Sequence, residues 1–200
     1  MQTYARIDAS GDVIQWPVMI HHIKAQGLPM RFFQEVQHRT APDHNRLTHS
    51  ASARLPVRDG AGRLVQAWEI IPRTLADVKQ AQIDALADYR WRKETGGVAL
   101  PDGGAIDTTR EAQAQVSSAF NALSSGMIES AEWKSRLGWV TVTLAEFGLI
   151  AGMVAKHVQA CFSAERTVTL DIEAAETVDD LAALDISGAF DAAYRAAMTA

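Results

Sequence analysis

WKSRLGWVTVTLAEFGLIAGMVAKHVQACF, residues 133 to 162, decides how the rest of the chain is read. A short strand-like piece runs directly into the longest amphipathic helix in the protein. Thr143 with Glu146 has the Ser/Thr-x-x-Glu form of a capping box, in which each side chain satisfies a backbone donor at the helix start. Leu144, Phe147, Ala151, Val154, Val158 and Cys161 then step by three and four, which lines one helix face with apolar groups. Glu146, Lys156 and Gln159 fall opposite and suit water. Past Phe162 no glycine or proline stops the run before Ala174, so the helix is expected to be on the order of 45 Å long at ~1.5 Å per residue. The stretch holds no reaction centre.

Upstream, the chain reads as β-rich. Tyr4 to Asp8 alternates, Ser10-Gly11 turns, and Val13 to Trp16 returns, which predicts an opening hairpin. Val18 to Gln26 reads as a short helix ended by Gly27 and Pro29. Arg31 to Ser52 shows no period and is expected to be a long loop, the first place to look for a partner surface. Ala53 to Arg58 and Arg63 to Ile71 flank Asp59-Gly60-Ala61-Gly62, a hairpin signal, and Pro72 closes the second strand because it cannot donate to a ladder.

From there the pattern becomes helical. Thr74 with Asp77 opens a helix to Lys93, with Leu75, Val78, Leu86 and Tyr89 on one face. Arg90, Arg92 and Lys93 stand where the helix dipole favours cations. Gly96-Gly97 stops it, and VALPDGGAIDT predicts a tight hairpin turning on residues 101–104. Thr108 with Glu111 begins a helix to Leu123, broken by Ser124-Ser125-Gly126. Thr177 with Asp180 caps a short helix holding Leu181 and Leu184. After Ser187-Gly188, AFDAAYRAAMT reads as a last helix with Phe190 and Tyr194 on one side. The expected class is α+β, with a small antiparallel β-rich attachment domain (1–74), a connector helix (75–93) and a mostly helical domain with a short β-hairpin (94–200).

Composition narrows the function classes. A chain of 200 residues with 48% apolar and 22% charged residues belongs to folded rather than disordered sequences. Its net charge of −5 argues against a nucleic-acid binder, which presents a basic face to phosphates. No uninterrupted apolar run reaches the ~18 residues of a membrane span. MQTYARIDASGDV lacks the basic-then-apolar layout of a secretory signal, and a single cysteine fits a reducing compartment, so synthesis in the cytoplasm is expected.

Several side chains invite chemical readings. His38, His44 and His49 share a segment with Asp43, and imidazoles with a carboxylate can hold zinc, but the spacing matches no zinc motif and no cysteine pair accompanies it. His21 and His22 are adjacent on a helix, where neighbours point apart. Cys161 has His157 one turn earlier but falls on the apolar stripe, which suits a small buried hydrophobe better than a nucleophile. Gly96-Gly97 and residues 102–104 carry turn chemistry rather than a phosphate cradle, and no paired acid/base carboxylates emerge. The steps from Leu144 also fit a heptad through Glu165, Val168 and Ile172, a self-association seam; the competing reading has one helix covering its own core. Trp16, Trp68, Trp91, Trp133 and Trp139 suit either an interface or ordinary packing. No catalytic, cofactor or metal-binding residue is assigned, and the chain is not expected to be an enzyme.

RWRKETGGVALPDGGAIDTTREAQAQVSSAF, then EWKSRLGWVTVTLAEF, AKHVQACFSAE and AAETVDDLAAL, together resemble a domain of unknown function found in bacteriophage tail and tail-fibre proteins. The matching residues are Arg92, Gly96, Gly97, residues 101–103, Asp107, Thr108, Trp133, Lys134, Gly138, Leu144, His157, Val158, Gln159, Cys161, Phe162, Glu165, Ala174 and Leu181. They span roughly residues 88 to 186, and the opening YARID with GDVI is similar to the start of many tail-fibre and fibre-assembly proteins. The final ISGAFDAAYRAAMTA has no counterpart. The resemblance implies that Trp133, Gly138 and Trp139 build the lead-in to the long helix. It also implies that Asp107 with Thr108 caps the helix before it, and that His157 is a structural hydrogen-bonding residue.

On that basis the expectation is a structural component of a phage tail, associated with the baseplate or tail fibre. It would act through protein-protein contacts as an oligomer, resident in the virion tail after synthesis in the host cytoplasm. The alternative is a tail-fibre assembly chaperone absent from the mature virion. A third reading, a metal-dependent hydrolase using His38, His44 and His49, ranks below both.

Overall fold

The computed structural model describes residues 2–99, 104–135 and 138–199. Helices hold 51% of the chain and antiparallel sheet 27%, and their segregation makes the protein α+β. It divides into two compact units, Met1–Thr74 and Leu75–Ala200.

The first unit contains β1 (Thr3–Ile7), β2 (Val13–Met19), α1 (Ile20–Gln26), β3 (Phe33–Val36), β4 (His49–Arg58) and β5 (Leu64–Pro72). One antiparallel sheet has the order β2-β1-β3, and β4 pairs with β5 in a second. A parallel bridge joins the sheets: Gln37 N–H donates to Leu64 C=O (2.9 Å) and Gln66 N–H to Gln37 C=O (3.0 Å). Arg58 reinforces the join. Its guanidinium donates to Gly11 C=O, Gly62 C=O and Gln34 Oε1, tying two turns and one strand together.

The segment from Arg31 to Ser52 is not the single loop expected. It contains a 3₁₀ turn (Met30–Phe32) overlapping its start, strand β3, and the first residues of β4. The alternation that would have revealed β3 is missing because both of its faces are covered. Phe33 packs with Val18 and Ile23, whereas Val36 packs with Ala5 and Leu64. The remaining stretch is tethered by Trp68 Nε1–H to Arg39 C=O (2.8 Å) and His49 N–H to Asn45 C=O (2.8 Å).

The second unit runs α2 (Leu75–Thr95), β6 (Val98–Ala99), β7 (Ala105–Ile106), α3 (Arg110–Ser124), β8 (Ser130–Ser135), β9 (Gly138–Thr143), α4 (Leu144–Ala174), α5 (Val178–Ala183) and α6 (Ile186–Thr199). Helix α2, read from sequence as a connector, packs against α4, α5 and α6 and so belongs to this unit's core. The strands β6 and β7 pair through Val98–Ile106 and Ala99–Ala105; of the turn expected on residues 101–104, the first three lie outside the described residues. The strand-like lead-in to α4 is a two-stranded hairpin, β8 with β9, in which Trp133 packs edge-on against Phe147 (4.9 Å between rings).

Helix α4 organises the unit as its sequence indicated, except that Leu144, read as the start of the apolar stripe, is exposed in the first turn. Phe147, Val154, Ala160, Cys161, Ala164, Val168 and Ile172 are buried, while Glu146, Lys156 and Gln159 face water. The Glu146 carboxylate accepts from both the N–H and the hydroxyl of Thr143 (2.9 Å each), which holds it below the usual carboxylate range. Val168 and Ile172 are consumed by contacts within the unit, so the C-terminal half of the heptad seam is already buried in its own fold apart from Glu165. By length and composition α4 is also apolar enough to cross a membrane. Lys156 and His157 break any continuous apolar run, and α4 contacts α2, α3 and α6 in the manner of a core helix.

Two helix starts differ from expectation. Thr109, rather than Thr108, caps α3, its hydroxyl accepting from Ala112 N–H (3.2 Å) while Asp107 accepts from Thr109 N–H (2.9 Å). Helix α6 begins before Ser187-Gly188, because Asp185 accepts from Gly188 N–H (3.0 Å) and the Ser187 hydroxyl (2.9 Å). At Thr177 and Asp180 the reciprocal capping box is present as read.

Candidate functional site

The densest polar cluster in the second unit forms where α2 ends. The last carbonyls of a helix have no partner within it, and a buried end needs side chains to supply donors. Glu94 C=O receives two: the Thr108 hydroxyl (2.5 Å) and His157 Nε2–H (3.1 Å). Because a carbonyl only accepts, Nε2 of His157 carries a proton, and in the neutral ring Nδ1 then accepts from the Tyr194 hydroxyl (2.8 Å). Thr108 in turn accepts from Gly97 N–H (2.9 Å). Gly97 has φ +92°, and a β-carbon there would press on Ile106 C=O at 3.1 Å, so glycine is required for this turn.

The Glu94 side chain is fully buried and carries the cluster's charge. Arg90 Nη1 contacts it at 2.5 Å, Arg110 Nη2 at 3.0 Å, and Gln113 Nε2 donates at 3.2 Å. Arg90 also reaches Glu165 at 3.1 Å and lies over the Phe162 ring (4.8 Å), while Arg110 lies over Trp91 (5.1 Å). An outer layer continues to α6, where Asp191 takes Lys93 (3.1 Å) and the Tyr89 hydroxyl (3.2 Å). Burial pushes the Tyr89 and Tyr194 phenols up, and the Asp191 charge adds to both shifts. The arrangement pins α2, α3, α4 and α6 at one point. Chemically it is a lock: every polar atom named is already paired within the fold.

Cys161 is buried beside this cluster, and burial pushes its thiol up to about 11. It therefore stays a thiol at neutral pH, a poor nucleophile, although His157 is one turn away. His157 is a buried hydrogen-bonding residue. Among the described residues no group of three or more His, Cys, Asp or Glu is placed to share a metal ion. His44 Nδ1 bonds Pro42 C=O and His49 Nδ1 bonds the Thr48 hydroxyl, while His38 and Asp43 are exposed. His21 and His22 do not point apart as expected; their rings meet edge to face at 4.1 Å. Trp139 (68%) and Trp91 (45%) are exposed.

The second notable feature is a groove of about 550 Å³ between α3 and α4. Val116 and Phe120 form one wall, Gly148, Ala151 and Gly152 the other, and Gln113 reaches it from the charged cluster.

Sequence reasoning missed Glu94, Arg110 and Gln113. The available signal was Arg90 and Glu94 at i and i+4, an ion-pair spacing hidden among the cations at the end of α2.

Fold and site thus define a two-unit α+β protein whose helical unit closes around a buried ionic cluster. Residues 77–188, more than half of the chain, match the family described as a domain of unknown function, DUF4376, and the protein belongs to that family. No curated protein and no solved structure matches the chain.

Proposed function

We propose that this protein is a structural component of a bacteriophage tail, held at the baseplate or tail fibre and acting through protein-protein contacts. The observation that carries the reading is the ordered series of blocks between residues 88 and 186 that resembles a tail-protein domain, nearly coextensive with the family match at 77–188. Support also comes from the second unit, whose main polar cluster is paired internally while apolar side chains such as Leu149 (76%) and Trp139 (68%) are left exposed. In this reading the β-rich unit attaches the protein, the helical unit faces the partner, and copies assemble under the closed symmetry usual for such particles.

Peptide mass spectrometry on purified particles, compared with the lysate they came from, tests the proposal. Co-purification at a fixed ratio to baseplate proteins is the expected result. Abundance in the lysate with absence from particles would overturn it in favour of an assembly chaperone.

A further inference from the structure

We draw no further inference here: the strongest candidate, the groove between α3 and α4 walled by Val116, Phe120, Gly148, Ala151 and Gly152, is an unpartnered apolar face, and nothing in the structure shows what covers it.

Discussion

Glu94→Gln keeps the size of the side chain and removes its charge. In the native protein that charge is shared by Arg90 at 2.5 Å and Arg110 at 3.0 Å, with Gln113 completing the set. Removing one partner of a buried ion pair costs about 3–5 kcal/mol, because the other charge is left uncompensated. Two features place this case at or below the lower bound. Arg90 keeps Glu165 at 3.1 Å, and the Arg110 side chain is 51% exposed and can be solvated. The expected loss is therefore about 2–3 kcal/mol, or roughly 10 °C in the melting temperature of a unit this size. Because the chain has two units, a single melting curve need not report on one of them. Native-state hydrogen exchange resolves the second unit directly, and amides at the end of α2 and the start of α3 should lose protection together. Glu111→Gln, an exposed change on α3, serves as the control and should stay within about 0.5 kcal/mol. If Glu94→Gln matches that control and leaves the α2–α3 amides protected, the cluster does not hold the unit together and the reasoning fails.

Further outcomes follow from the same geometry. Tyr194→Phe strips His157 Nδ1 of its donor and should lower the urea midpoint by an amount equivalent to about 1–2 kcal/mol; an unchanged midpoint would mean the ring alone suffices. Asp180 is held below the usual Asp range by bonds from Thr177. A depressed folded value means that its contribution is complete above the unfolded value of about 3.9 and fades as pH falls through the lower one. The stability gap between wild type and Asp180→Ala should accordingly be constant from pH 7 to 5 and close below about pH 4, as followed by circular dichroism. With its thiol raised to about 11, Cys161 should resist a disulfide reagent at pH 8 in the native protein and react fully in denaturant. Rapid labelling of one equivalent under native conditions would contradict its burial.

Local signals were the legible ones. Thr177 with Asp180, the Asp59-Gly62 turn and the three-four stepping of α4 each declare themselves within a few residues, because their physics is short-range. Strand β3 is silent for the opposite reason: Phe33 and Val36 serve two different clusters, so the segment lacks the one-sided pattern that marks a strand. Thr108 misleads because it has the form of a cap, yet the neighbouring Thr109 takes that role and Thr108 is drawn to Glu94, fourteen residues back. The charged cluster is the least legible part. Arg110 and Gln113 read as surface residues of a helix start, and only the fold brings that start to their common partner at the end of α2. The likeness to tail proteins, by contrast, rests on ordered blocks of residues and needs no side-chain geometry at all.

The bonds from Thr108 and His157 to Glu94, with Tyr194 behind His157, also bear on the order of events during synthesis. The bonds described above for the β-rich unit join residues that leave the ribosome before the helical part. For the helical unit, Glu94 emerges early, but the imidazole for its carbonyl arrives sixty-three residues later and the phenol that fixes that imidazole thirty-seven after that. The carboxylate has Arg90 from the start and Arg110 sixteen residues later, but the carbonyl must wait for the rest of its final partners. At about 5–20 residues per second this interval lasts on the order of ten seconds. During that interval exposed apolar faces of the growing domain are open to chaperones and to neighbouring chains.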